Sequence, residues 1–299
     1  MFPLVANIPI QKISNQFLEK QKVELFIQRE DLIHAQVSGN KWRKLKYNIK
    51  EYQKEGCENI ITFGGAFSNH IAATAAIGKL LNIPTFGIIR GEKIANPTLD
   101  AACENGMTLH FVNREEYKKK HQSKEVKNII NSIKKPFVIP EGGSNLFGLK
   151  GCEEIVQNFD FDIITCPCGT GSTLSGIISS LKENQYAIGF SVLKGADFLK
   201  NDIRKNLQLL NCENFNWRLE TNFHFGGYAR YESDLIQFIR QFWKLNSIKL
   251  DPVYTGKAMY GLYFLIESGQ LTGKKILFVH TGGLQGIQGF ESRYKLKIF

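Results

Sequence analysis

The chain of 299 residues predicts an α/β fold in two units, with parallel-rich sheets covered by helices. Short β-rich apolar runs alternate with stretches of helical period, the pattern of strands joined by crossover helices. Several of these runs end in glycine-rich corners that lead into a helix start, the place where open α/β sheets collect ligands. The alternation falls into two successive series with a change near Glu141 to Lys150, and no Pro-rich or Ser-rich linker marks it.

VELFIQRED (23–31) has the β-branched and aromatic content of a strand. From Lys41 onward, Trp42, Leu45, Ile49 and Tyr52 recur at helical spacing, and Gly56 supplies a stop. NIITFGG (59–65) reads as a strand, and SNHIAATAAIGKLL as a helix beginning at Ser68. A strand over TFGIIRG (85–91), a helix near 97–105, a strand over MTLHFVN (107–113), a helix near 125–135 and a strand at PFVIPEGG (136–143) complete the first series. The second opens with a helix through GLKGCEEIVQNF (148–159), followed by the strand FDIITCPC (161–168) and a helix from Ser172. The strand YAIGFSVLKG (186–195) and further helices lead to a final strand, KKILFVHTGG (274–283).

A content of 43% hydrophobic and 12% aromatic residues is enough to build ordinary cores. Neither a membrane-length apolar run nor a secretory leader is visible, so a cytoplasmic protein without a membrane partner is expected. The six cysteines lie far apart except for Cys166-Pro167-Cys168, which lacks the two-residue gap of zinc and redox pairs, and they read as reduced thiols. A net charge of +10 raises the question of nucleic acid, because clustered cations gain affinity by releasing counterions from phosphate. The charge is spread, however. Its densest run, Lys118-Lys119-Lys120-His121, lies near Glu115, Glu116 and Glu125 and reads as a solvated face, so no nucleic-acid partner is expected.

The corners carry the chemistry. In CGTGSTLSGI (168–177), Gly169 and Gly171 allow close backbone approach, while Thr170, Ser172 and Thr173 place hydroxyls beside free helix amides. That arrangement can cradle a phosphate or simply cap a helix. It has neither the order of a nucleoside-triphosphate loop nor the full glycine run of a dinucleotide site. In FGGAFSNHIAA (63–73), Ser68, Asn69 and the first helix amides can hold a carboxylate, and the Asn69 amide can donate to a phenolate-type oxygen. His70 fits a structural hydrogen-bonder or a ligand contact. HTGGLQG (280–286) offers the neutral hydroxyl of Thr281, and PEGGSN (140–145) receives no chemical role. Lys41 follows the small, turn-forming Ser38-Gly39-Asn40. A lysine held rigidly in a desolvated cleft can lose its proton and form a Schiff base, although solvated lysines heavily outnumber reactive ones and by itself Lys41 reads as a surface charge.

Taken together, SGNKWRKL, GGAFSNHIAATAA, PEGGSN, CGTGSTLSGI, DPVYTGKAMYGL and HTGG resemble the pyridoxal-phosphate enzymes of the 1-aminocyclopropane-1-carboxylate deaminase and D-cysteine desulfhydrase family. They keep that family's order and approximate spacing from about Asp31 to Gly283. The resemblance implies a fold like the tryptophan synthase β chain (fold type II), with a larger cofactor domain formed by residues 1–48 and 149–299, a smaller α/β domain over 49–148, and the site between them. It implies that Lys41 carries pyridoxal 5'-phosphate, that Asn69 faces the cofactor's phenolic oxygen, and that Gly169, Thr170, Gly171, Ser172 and Thr173 take its phosphate. Ser68, Asn69 and His70 would meet a small amino-acid substrate, with Tyr254 and Tyr228 as active-site tyrosines and a homodimer as the assembly.

Two positions divide that family. Its cyclopropane deaminases resemble DPVY followed by glutamate, whereas Thr255 follows Tyr254 here, and they lack the threonine found at Thr281. A neutral hydroxyl beside the ring nitrogen makes a milder electron sink, which suits β-elimination better than ring opening. The expected activity is therefore lysis of a small D-amino acid, D-cysteine foremost, to pyruvate, sulfide and ammonia, with 1-aminocyclopropane-1-carboxylate deamination to 2-oxobutyrate and ammonia as the alternative. Phe67 departs from the glutamine usual before Ser-Asn in the desulfhydrases and would reshape the pocket. The rivals from other classes are a nucleotide-using α/β protein and a basic nucleic-acid-binding or ligand-binding protein without turnover.

Overall fold

The computed structural model describes residues 7–94, 96–156 and 159–299. Among them run ten strands: β1 (Ile10–Ile13), β2 (Glu24–Gln28), β3 (Asn59–Gly65), β4 (Thr85–Arg90), β5 (Thr108–Val112), β6 (Pro136–Ile139), β7 (Ile163–Cys168), β8 (Tyr186–Ser191), β9 (Trp217–Glu220) and β10 (Lys275–Val279). The α-helices are α1 (Gln16–Lys20), α2 (Asn40–Lys54), α3 (Asn69–Leu81), α4 (Pro97–Glu104), α5 (Arg114–Lys119), α6 (Lys124–Asn131), α7 (Leu146–Glu153), α8 (Ser172–Ser179), α9 (Phe198–Leu209), α10 (Ser233–Asn246), α11 (Thr255–Glu267) and α12 (Gly286–Tyr294).

Two sheets result. One has the order β1-β2-β10-β7-β8-β9, the other β5-β4-β3-β6. Every pairing is parallel except β1 with β2. Parallel strands need their connections to cross over, which is why the helices cover both faces and the central strands are apolar throughout. Strand β7 shows this: all six of its residues are buried.

In the larger sheet, one core packs β2, β10, α10 and α11 around Leu25, Ile27, Phe278, Leu262 and Phe242. The other packs β7 and β8 against α7, α8 and α9 through Cys152, Ile164, Ile177 and Ile203. Helix α2 lays Trp42, Leu45, Ile49 and Tyr52 on Ile60, Ile77 and Phe137 of the smaller sheet and its helix α3. Burying those four side chains is worth roughly 6–12 kcal/mol before entropy costs. Residue 48 lies within α2 and residue 148 within α7, so both expected domain boundaries cross a helix.

Several expectations needed adjustment. The strand expected over 23–31 stops at Gln28, because Glu30–Leu32 turn into a 3₁₀ segment in which the buried Glu30 pairs with Arg43 at 2.9 Å. The helix expected over 148–159 occupies Leu146–Glu153, and Gln157 and Asn158 of that expectation lie outside the described residues. The final strand is followed by α12.

The strand directions locate the site. Strands β2, β10 and β7 are parallel neighbours, so their carboxyl ends, which lead to Lys41, Thr281 and Gly169, lie side by side. In the smaller sheet β3, β4 and β6 likewise deliver Ser68, Arg90 and Glu141 from one end. The two sets of ends face a common cleft of about 1630 Å³.

Candidate active site

Lys41 is the second residue of α2 and lines the cleft. Three backbone and side-chain ties fix the start of that helix. The Gly39 N–H donates to the Glu30 carbonyl at 2.9 Å, the Asn40 N–H to the Thr281 carbonyl at 3.2 Å, and the Asn40 Nδ2 to the Thr173 hydroxyl at 2.8 Å. Asn40 thus joins three separate corners next to Lys41. Gly39 has φ +65°, and a Cβ there would stand 1.9 Å from the Thr281 carbonyl oxygen, so only glycine lets these strand ends meet. Burial, and then the neighbouring Lys44 ammonium, pull the Lys41 amine down to about 7. An amine so tuned is a nucleophile at neutral pH.

The loop 169–173 turns through Gly171 at φ +78° into α8. Gly169, Thr170, Gly171 and Thr173 line the cleft, with the first-turn amides of α8 opening toward it. Ser172 is fully buried beneath them. Its hydroxyl bonds the Ser144 hydroxyl and, at 3.1 Å, that of Thr170, so this side chain braces the loop rather than facing the cleft. Lys44, one turn after Lys41, also reaches the cleft although only 2% exposed, and no hydrogen bond or carboxylate satisfies it among the described residues. Desolvation lowers its pKa, with buried thiols of Cys152, Cys168 and Cys166 acting the other way.

Opposite lies the start of α3. Ser68 is its N-cap, accepting from the Ile71 N–H at 3.3 Å. Asn69 sits beside the 283–286 turn: a Cβ on Gly283 would come within 2.8 Å of its Nδ2. His70 is 2% exposed, and its Nε2 lies 2.8 Å from the Thr62 hydroxyl. That hydroxyl gives its one proton to the Ile139 carbonyl, so Nε2 is the donor to Thr62. Nδ1 is left as a buried acceptor in the wall of the cleft, without a partner among the described residues. Burial and the Lys41 and Lys44 charges hold the ring neutral, well below its usual pKa.

Tyr254 enters from the start of α11, where Gly169 leaves room; a Cβ on that residue would touch the ring at 3.2 Å. Its hydroxyl donates to that of Tyr228 at 3.4 Å, the rings meeting edge to face at 5.9 Å. Burial raises both phenol pKa values, that of Tyr254 the more. Asp251 holds the segment in place, accepting from the N–H groups of Val253, Tyr254 and Thr255 at 2.8–2.9 Å and from the Thr255 hydroxyl at 2.7 Å. The Thr255 hydroxyl is consumed in this cap, which leaves Thr281 as the hydroxyl of the pair that lines the cleft.

The candidate site residues read from the sequence therefore meet at one cleft, with Ser172 behind its wall and Thr255 held in the cap of α11. Others escaped notice because their importance arises from contacts distant in sequence. They include Asn40, Lys44, Thr62, Asp251, Arg90 and Glu141, the last lying in a stretch that received no chemical role. The run 118–121 is not wholly a solvated face. Lys120, at φ +50°, folds inward to 3.6 Å over the Tyr117 ring and 2.6 Å from Glu141, and it lines the cleft with Lys118. Phe67 reaches α12, where a Cβ on Gly289 would lie 3.2 Å from its ring and Arg293 stacks on it at 5.7 Å.

The family model described as pyridoxal-phosphate dependent enzyme matches residues 1–282. The chain belongs to the pyridoxal-phosphate-dependent enzymes. Among its relatives, the Arabidopsis thaliana bifunctional D-cysteine desulfhydrase/1-aminocyclopropane-1-carboxylate deaminase is 33% identical over 297 residues, covering 88% of this chain and 73% of that protein. A Pyrococcus horikoshii protein named a putative 1-aminocyclopropane-1-carboxylate deaminase is 32% identical over 95% of this chain and 93% of its own. The crystal structure of an ACC deaminase homologue superposes with a TM-score of 0.86 at 28% identity, covering 97% of this chain and 93% of that one. The tryptophan synthase-like, fold type II architecture expected from the motifs is that of this enzyme family.

The cleft has the donor set that a pyridoxal-phosphate-dependent enzyme needs. A depressed amine, an uncompensated buried ammonium and the amides of α8 lie together, and they present one nucleophile and two kinds of anion donor to the same space. The buried Nδ1 of His70 adds an acceptor that the protein itself leaves unsatisfied.

Proposed function

We propose that this pyridoxal-phosphate-dependent enzyme is a lyase that removes the β-substituent of a small D-amino acid, D-cysteine foremost, yielding pyruvate, sulfide and ammonia. The observation that carries the choice is the character of the cleft around Thr281. Among the described residues, the acidic ones lining the cleft are Glu92, Glu141 and Asp202, none of them from α11 or the turn after β10. The carboxylate that does lie near, Asp251, is occupied by four donors. A neutral hydroxyl beside the cofactor nitrogen favours a mild electron sink, adequate where the thiolate leaves readily.

In this reading Lys41 Nζ would carry the coenzyme, the amides of Gly169 to Thr173 and the hydroxyls of Thr170 and Thr173 with Lys44 would hold its phosphoryl group, and Asn69 would face its phenolic oxygen. When bound, the coenzyme supplies an electron sink for the bonds of the substrate α-carbon. Ser68 and the free amides of α3 take the substrate carboxylate, with His70 beside them as a neutral acceptor. Lys41, once its amine is free of the coenzyme, would be placed to take the α-proton. Tyr254 and Tyr228, their phenols kept protonated, stand where the leaving group is released.

Purified protein tests the choice directly. Pyruvate and sulfide release from D-cysteine should exceed 2-oxobutyrate release from 1-aminocyclopropane-1-carboxylate by about tenfold or more in kcat/KM, equivalent to about 1.4 kcal/mol of transition-state preference. The reverse order would assign the deaminase activity, the alternative that the Pyrococcus relative's name favours. Lys41→Ala should lose both turnover and the near-violet absorbance of the bound coenzyme. A homodimer in the cytoplasm completes the proposal, and sedimentation equilibrium checks the dimer. No helix among the described residues is long and apolar enough to cross a membrane.

A further inference from the structure

Helix α11 contains a further buried lysine, which the proposed chemistry does not use. Lys257 is fully buried, and its Nζ donates to the carbonyls of His224 at 2.8 Å and Gly227 at 2.7 Å. No carboxylate pairs with it among the described residues; Asp251, the acid whose charge reaches it, is already satisfied by the cap of α11. Burying a cation against carbonyls alone is costly, and desolvation accordingly lowers its pKa to about 8.

What the two carbonyls belong to is informative. They sit in a loop where Phe225, Gly226, Gly227 and Ala229 all have positive φ, at 49°, 82°, 116° and 53°. Non-glycine residues enter that region at a cost of about 1–2 kcal/mol each, so the loop keeps its shape only if other contacts over-determine it. Those contacts are the two bonds from Lys257, a bond from the Tyr294 hydroxyl to the Ala229 carbonyl at 2.7 Å, and the Phe225 ring packed edge-on to Tyr260 at 4.9 Å. Tyr228, between the two pinned carbonyls and the strained Ala229, is what the loop delivers to Tyr254.

We infer that Lys257 is a positioning residue for Tyr228. The segment Asp251 to Lys257 then sets both phenols of the site: Asp251 fixes Tyr254 through the helix cap, and Lys257, less than two turns on, fixes Tyr228 through the 224–229 loop. A single helix start thereby determines the distance between the two hydroxyls. The inference rests on the reading of Tyr228 as a substrate-facing residue in the proposed lyase.

The test is a double-mutant cycle on the holoprotein, with Lys257→Met and Tyr228→Phe, assayed by pyruvate release from D-cysteine and 2-oxobutyrate release from 1-aminocyclopropane-1-carboxylate. A misplaced phenol should lower kcat by about 100-fold in Lys257→Met while the coenzyme absorbance band persists. In the Tyr228→Phe background the same substitution should cost less than about 3-fold, because the group it positions is already gone. Hydrogen exchange supplies a readout independent of turnover: amides of residues 222–231 should exchange about tenfold faster or more in Lys257→Met, with α8 unchanged. If Lys257→Met does not fold, Gly227→Ala strains the same loop at φ +116° while leaving Lys257 in place and should show the same non-additivity. The inference is overturned if Lys257→Met keeps activity within about 2-fold of the parent, if its effect multiplies with that of Tyr228→Phe, if Tyr228→Phe is silent, or if loop exchange is unaltered. Failure of the lyase reading looks different: Lys41→Ala would keep the absorbance band, or neither substrate would turn over in the unsubstituted protein.

Discussion

The depressed pKa of Lys41 makes a quantitative demand on how the apoprotein takes up its coenzyme. Only the neutral amine attacks an aldehyde. With the amine at about 7 instead of its ordinary 10.5, about half of the molecules are competent at pH 7, against roughly 3 in 10,000 for a solvated lysine, a gain of about 1,500-fold. Stopped-flow mixing of apoprotein with pyridoxal phosphate between pH 5.5 and 9.5 should therefore show a rate of band formation that rises to a midpoint near 7 and then levels. Lys44→Met removes the second cause of the depression and should move that midpoint upward. The same shift links to stability. Between about pH 7 and 10.5 the unfolded chain holds the Lys41 proton and the folded chain has released it, so this group's contribution makes apoprotein stability rise with pH across that window. A reconstitution rate still climbing tenfold per pH unit at pH 9 would show that Lys41 is an ordinary surface amine and would remove the physical basis for its assignment.

Two further substitutions probe the scaffold under the site. Gly39→Ala forces a methyl to within 1.9 Å of the Thr281 carbonyl in a left-handed backbone region, and should cost about 2–4 kcal/mol in urea unfolding while slowing coenzyme uptake, since the start of α2 must move. Asp251→Asn turns one accepting oxygen into a donor facing the N–H groups of Val253 and Tyr254, and should cost about 2–4 kcal/mol with a fall in turnover that a distant surface substitution would not produce; an unchanged unfolding midpoint would deny the cap its role.

How far the molecule could be read from its sequence depended on where each signal originates. The strands of the sheet interiors and helix α2 announced themselves because their periodicity is local: Trp42, Leu45, Ile49 and Tyr52 are all buried by one face of one helix. The edge strands β1 and β9 are four residues each with mixed polar content, IQKI and WRLE, and offered no comparable run. Helix α12 was hidden for a specific reason. Gly286 and Gly289 weaken its helical signal, yet Gly289 is the residue that admits the Phe67 ring and Gly286 lies 3.3 Å, by its missing Cβ, from Asn69 Oδ1. The feature that obscured the helix is thus the one that lets it close on the cleft.

Charge was misleading in a similar way. Among 38 lysines and arginines, composition cannot separate a solvated cation from a buried one. Lys41 stood out only through the corners around it, whereas nothing local in the sequence marks Lys44 and Lys257 as buried, although they are 2% and 0% exposed. What distinguishes the three is the acceptor that each meets after folding. Lys257 meets two loop carbonyls; Lys44 and Lys41 meet an open cleft and, among the described residues, no carboxylate. A buried ammonium without an acid partner is expensive to maintain, so the two that point into the cleft imply an anion or aldehyde that compensates them, and the one that does not implies a backbone whose exact shape is worth that cost. On the proposed reading the positions of three lysines divide the site into a covalent anchor, an anion holder and a scaffold, a division visible only after the strand ends have been brought together.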